Sequence, residues 1–187
     1  MDKIDNKIIS SEAARVALVF GLISGGYVLI DPLLTKIGVP VIASGLSIVL
    51  WAAKFCGCIY LMRFFMRKLS MQYGGVGRRE LVRFGTLVAL FSAIITAVCC
   101  YVSVEYLFAD QYAATFDALW QQMGSTLDAN TRESMQSMES NLAQISTISN
   151  FLWCFIYGWA LSGIISGSVS SRGDVIFSDK DDDDDYI

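Results

Sequence analysis

Apolar residues gather into four stretches, at positions 13–30, 39–61, 84–108 and 151–169, with polar segments between them. Each is about 18–25 residues long, which covers ~30 Å of hydrocarbon at ~1.5 Å per residue. The pattern predicts an all-α fold, a four-helix transmembrane bundle. Asp31-Pro32 should close the first span, because a proline disfavours helix at the residue before it. Only about seven residues then precede the second span, so the two form a tight antiparallel hairpin. Pro40 falls in the first turn of span two, where its missing N–H is harmless.

Between spans three and four the period persists but the composition turns amphipathic. Tyr112, Phe116, Leu119 or Trp120, and Met123 recur at helical spacing; after Gly124-Ser125, Met135, Met138, Leu142 and Ile145 repeat it. About 40 residues is too long for a structureless connection, so 109–150 reads as an external amphipathic helical hairpin. One helix continues span three and the other leads into span four. Phe116, Trp120, Met123, Met135, Met138 and Leu142 form its candidate interaction face. Two readings stay open: the faces pack on each other and on the membrane surface, or a Met-rich face takes a protein partner or a lipid.

Composition agrees with the spans. The chain is 54% hydrophobic and only 17% charged, with a mean hydropathy of +0.49. That is more apolar surface than one core of this size hides, whereas lipid accepts it. The net charge of −4 owes much to the aspartates at 181–185, without which the chain is close to neutral. Residues 173–187 therefore read as an acidic, disordered cytoplasmic tail on a single four-span domain, 1–172.

The charged loops give an orientation. Between spans two and three lie Arg63, Arg67, Lys68, Arg78, Arg79 and Arg83, offset only by Glu80. Lys3, Lys7 and Arg15 flank the N-terminal end, and Arg172 and Lys180 the C-terminal end. Segment 109–150 instead sets Arg132 against Asp110, Asp117, Asp128, Glu133 and Glu139, and the first loop holds only Lys36. By the positive-inside rule both termini and the middle loop are cytoplasmic and the acidic segment is outside. Gly74, Gly75 and Gly77 make the middle loop flexible and wet. A cleaved signal peptide is the lesser reading of span one, since its apolar part is long and Gly25-Gly26-Tyr27 is no A-x-A-like site. Arg15-Val16-Ala17-Leu18 and Arg83-Phe84-Gly85-Thr86 open their spans alike, a faint echo of duplication.

Small residues form stripes at helical spacing. Ala13, Ala17, Gly21 and Gly25 mark span one; Gly158, Ser162, Ser166 and Ser170 mark span four, with Gly163 and Gly167 alongside. Such stripes let backbones approach in lipid. They suit packing of spans one and four on each other, or a homodimer through one stripe. Lys54 is the one charge well inside a span. It either snorkels to the inner headgroups or joins Ser24, Ser162 and Ser166 in a polar site. Glu105 is too near the outer end of span three to pair with it. Trp51, Tyr60, Tyr101, Tyr106, Trp153 and Tyr157 lie near the span ends, where several suit an interfacial belt.

The five cysteines, Cys56, Cys58, Cys99, Cys100 and Cys154, all fall in spans. Depth counting puts the first two in the inner leaflet and the others in the outer. With no histidine and adjacent thiols ~100° apart, no metal site is expected. A disulfide from Cys99 or Cys100 to Cys154 stays open. Gly74-Gly75-Val76-Gly77 lacks the strand–turn–helix setting of a phosphate cradle, and no hydrolase triad or H-E-x-x-H is present. No catalytic residue, cofactor or nucleic-acid partner is expected.

Several blocks carry a resemblance. Trp51-Ala52-Ala53-Lys54-Phe55-Cys56-Gly57-Cys58-Ile59-Tyr60-Leu61 and Phe64-Phe65-Met66-Arg67-Lys68 sit in span two. Arg83-Phe84-Gly85-Thr86-Leu87-Val88-Ala89-Leu90-Phe91-Ser92-Ala93 opens span three, Trp120-Gln121-Gln122-Met123 follows, and Tyr157-Gly158-Trp159-Ala160-Leu161-Ser162-Gly163-Ile164-Ile165-Ser166 fills span four. In order and spacing they resemble the "domain of unknown function 4199" family of small four-span inner-membrane proteins of Gram-negative bacteria. The resemblance runs from about residue 12 to 172 and implies topology and location, not activity. The expectation is a non-enzymatic scaffold or interaction protein of the bacterial inner membrane, using its external segment. The alternative is a small transporter or channel, dimeric, with Lys54 and the span-four serines along a polar path. The position of Lys54 separates them: facing lipid it weakens transport, facing a cavity it supports it.

Overall fold

The computed structural model of the chain describes residues 6–34, 40–73, 76–123 and 126–178, with 40–44 and 171–178 described by backbone alone. The expectations placed on Lys36, Gly74-Gly75, Gly124-Ser125 and the 181–185 run lie outside these residues. Among them the fold is all-helical: α1 (Asn6–Leu34), α2 (Pro40–Gln72), α3 (Arg78–Val102), α4 (Ala109–Met123), α5 (Ala129–Ser140) and α6 (Leu142–Ser178). A π-helical turn, Ser103–Leu107, joins α3 to α4. Four helices are long and apolar enough to cross a membrane: Asn6–Leu34, Gly45–Gln72, Arg78–Leu107 and Leu142–Ser170.

α3 is the hub. Leu81, Phe84, Val88, Ala89, Ala93, Thr96, Ala97 and Cys100 are buried around it, because α1 packs along one side and α6 along another. Arg83 Nη1 donates to Asn6 Oδ1 where α1 and α3 begin, and Gly25 meets Cys99 farther along, so these two helices run parallel. Gly158 lies on Ala89 and Gly167 near Arg78, so α6 runs antiparallel to α3. In lipid such contacts hold through close van der Waals fit rather than through loss of water.

Helix ends follow local chemistry. Gly77 precedes α3, and its N–H donates to Glu80 Oε2 (3.3 Å), half of a capping box. The π-turn closes with Phe108 N–H donating to Ser103 O (2.9 Å), and Phe108 leaves helical geometry. α4 therefore follows span three through a break rather than as a straight continuation.

Three expected boundaries move, one on α1 and two on α6. α1 does not stop at Asp31-Pro32 but runs to Leu34 with Pro32 in its last turn. There the ring removes a single N–H, Ser47 Oγ donates to Asp31 Oδ1 (2.5 Å), and Gln111 Nε2 donates to the Pro32 carbonyl (3.3 Å), satisfying a terminal acceptor. α6 starts at Leu142, well before position 151, and continues past 172 to Ser178. The break into span four falls at Asn141 instead, whose side-chain amide caps Ser137 O (2.9 Å).

Candidate functional site

α2 is held unevenly. Cys58, Met62, Met66 and Leu69 are buried at helical spacing in its second half, whereas no residue from 45 to 57 is buried. Over that first half a cavity of about 540 Å³ opens between the four long helices. α1 contributes Phe20 and Ser24; α2 contributes Trp51, Lys54, Phe55, Cys58 and Met62; α3 contributes Val88, Ser92 and Thr96. α6 closes it with Asn150, Trp153, Cys154, Tyr157 and Leu161.

Lys54 is half-buried on this wall, with Nζ 4.2 Å from the centroid of the Tyr27 ring. A cation over an aromatic face is attracted by the ring quadrupole, which partly offsets the loss of water. No carboxylate forms a salt bridge with Lys54 among the described residues. Phe55 carries the Tyr157 ring at 4.5 Å between centroids, and the Tyr157 hydroxyl is buried with no hydrogen-bond partner among the described residues. Ser92 and Thr96 turn their hydroxyls back to Ala89 O (3.1 Å) and Ser92 O (2.9 Å), which leaves them little to offer a ligand.

The polar site expected from the sequence is only half assembled. Lys54 and Ser24 line the cavity, but Ser162 and Ser166 do not. Both serines are fully buried, and their hydroxyls donate to Trp159 O (2.8 Å) and Gly163 O (3.0 Å). Ser162 lies against Gly85 of α3, beyond the point where Gly158 and Ala89 close one edge of the cavity that Cys154, Tyr157 and Leu161 also line. Tyr157, expected near the interface, is thus turned inward. Asn150 on the wall, and Tyr27 beneath Lys54 Nζ outside the lining, were not singled out in the sequence. A Ser92/Thr96 pair one helical turn apart in an apolar span was the available signal for α3.

The small-residue stripes also face differently. An added Cβ at Gly21 would lie 2.8 Å from Ile95, at Gly25 2.6 Å from Cys99 Sγ, and at Gly158 2.6 Å from Ala89 Cβ. Spans one and four therefore press their stripes on α3, which stands between them, rather than on each other. Gly163 has nothing within 4 Å, and Gly167 approaches only the Arg78 guanidinium at 3.9 Å, so neither packs closely on another helix of the same chain.

Glu105 is exposed in the π-turn, away from the Lys54 cavity. All five thiols are unpaired. Cys58 and Cys154, assigned to opposite leaflets, line the same cavity because it extends from Trp51 to Met62 along α2, roughly 16 Å of helical rise. Among the described residues no three acidic or thiol side chains converge as a metal site requires.

The α4–α5 segment buries no residue of either helix. Phe116, Trp120, Met135 and Leu142 are half-covered; Met123 and Met138 stay 47% and 52% exposed. Trp120 Nε1 donates to Glu139 Oε2 (3.0 Å), a link between the two helices. Asp128 caps α5, its carboxylate accepting from Thr131 N–H (3.1 Å), and the bonds from Thr131 hold its pKa below the usual carboxylate value. Burial, then the nearby Cys100 and Asp31, pushes the Tyr112 phenol up. Compared with family models, curated proteins and solved structures, the chain matches none.

Proposed function

We propose that this chain is a non-enzymatic, multi-pass membrane protein whose interhelical cavity holds a membrane-partitioning solute, as the binding site of a small transporter would. The observation that carries the reading is the place of Lys54, on the wall of a cavity and over Tyr27 rather than among the outward side chains. An ionisable residue inside a span is a functional marker when it faces the interior. The volume of about 540 Å³ falls within the range of small-molecule sites. The distribution of Arg and Lys supports cytoplasmic termini, with the α4–α5 hairpin on the other side of a four-helix bundle. The ordered span blocks support membership of the "domain of unknown function 4199" family and a place in a bacterial inner membrane.

A scaffold role is the second reading. It is favoured by the exposed Met123 and Met138 on helices that bury none of their residues. A partner there would be another membrane or periplasmic protein, or a second copy of the chain.

Tryptophan fluorescence tests the cavity, because Trp51 and Trp153 line it. In nanodiscs, a lipid-soluble brominated alkane is expected to quench in two phases: a saturable one at low dose, then a linear one. Trp51→Phe with Trp153→Phe should remove the saturable phase. Quenching that is linear throughout would contradict the reading.

A further inference from the structure

We infer that the cavity takes an amphipathic monoanion with a single carboxylate head and an unbranched apolar tail, a ligand of the fatty-acid class. The inference rests on the reading of the cavity as a ligand site. Two donors on its wall lack acceptors. Lys54 forms no salt bridge with a described carboxylate, and the Tyr157 hydroxyl has no described hydrogen-bond partner. A half-buried cation on an apolar wall and a buried hydroxyl are each unfavourable until something accepts from them. Phe55 follows Lys54 in the chain and packs on the Tyr157 ring, so the two residues stand at one level of the wall.

A ligand that satisfies both must be negative and must accept at least two hydrogen bonds. A carboxylate does so with its two oxygens. A dianionic phosphate would leave one charge uncompensated away from water, because Lys54 is the one basic residue on the wall. A cationic head would meet Lys54 and no acid.

The rest of the wall sets the tail. Phe20, Met62, Val88, Trp153 and Leu161 present apolar and aromatic surface, and their stretch from Trp51 to Met62 is elongated along the helices. A short polar acid would leave that surface unfilled, whereas an alkyl chain covers it.

Native mass spectrometry of the full chain released from nanodiscs tests this with three probes that share a twelve-carbon chain: dodecanoate, methyl dodecanoate and dodecylammonium. The expected result is one dodecanoate retained per chain, with the ester and the amine held roughly tenfold more weakly or worse. Lys54→Met should lose that preference, Lys54→Arg should keep it, and Tyr157→Phe should reduce it. Retention of ester equal to carboxylate, or a Lys54→Met chain that binds dodecanoate like the unaltered one, would overturn the carboxylate assignment while leaving the cavity reading standing. Retention of none of the three overturns both. If Lys54→Met does not fold, the carboxylate-to-ester preference of the unaltered chain decides alone.

Discussion

Gly158 and Gly163 lie on the same helix and meet opposite surroundings. A Cβ at Gly158 would press into Ala89 at 2.6 Å, backbone Cα included at 3.3 Å, whereas one at Gly163 would meet nothing within 4 Å. Gly158→Leu should therefore destabilise the protein by about 1–3 kcal/mol through overpacking against α3. Gly163→Ala should be neutral or stabilising by up to ~1 kcal/mol, since alanine is the better helix former. Thermal unfolding of the two variants in the same detergent checks this; equal effects would remove α3 from the stripe's partners. At this scale the sequence was partly legible. Four-residue spacing identified Gly21, Gly25 and Gly158 as packing positions, and Lys54 as the singular charge. It did not identify which helix each face meets, because spacing describes one helix and contact needs two. Ser162 and Ser166 were misjudged for that reason: small polar residues suit a ligand wall and a close helix crossing equally well, and their hydroxyls are satisfied by their own backbone.

The elements outside the long helices depend on caps more than on burial. α5 buries no residue, so its start rests on Asp128, whose carboxylate accepts from Thr131 N–H. That bonding lowers the Asp128 pKa in the folded state, so its contribution is present above the ordinary carboxylate value and is lost as pH falls through the lower folded value. NMR secondary shifts of residues 129–133 should stay helical from neutral pH down through the usual aspartate range and decline only below it. Asp128→Asn keeps an acceptor but does not titrate, and should hold the helix start across the same range. A decline centred on the usual aspartate pKa would contradict the capping account. The amphipathic period revealed helix in α4 and α5, but neither the interruption at Asn141 nor the π-turn after α3. That turn is set by where Phe108 can find a carbonyl, a detail of backbone hydrogen bonding that side-chain pattern does not encode. Pro32 shows the same limit: the dipeptide rule disfavours helix at Asp31 without forbidding it, and α1 runs on to Leu34 with the Pro32 carbonyl accepting from Gln111 of a distant helix.

On the scale of the whole molecule, α3 draws α1 and α6 onto itself, and α2 is fixed mainly through Cys58, Met62, Met66 and Leu69. From 45 to 57 α2 buries no residue, although Ser47 bonds Asp31 of α1, and the cavity with Lys54 lies along this loosely packed stretch. Hydropathy alone made the four long helices legible, because length and apolarity are properties of one segment. The cavity was not legible, because it arises from unequal packing among four. The account turns on whether Lys54 faces that space or the lipid. In a chain with the five native cysteines replaced by alanine, reconstituted in vesicles, Lys54→Cys should react with a small water-soluble methanethiosulfonate reagent. Ile48→Cys, on an outward position that is 67% exposed, should not. Reaction at position 54 and none at 48 is the predicted result; a residue 54 thiol as inert as that at 48 would place it against lipid and contradict the account.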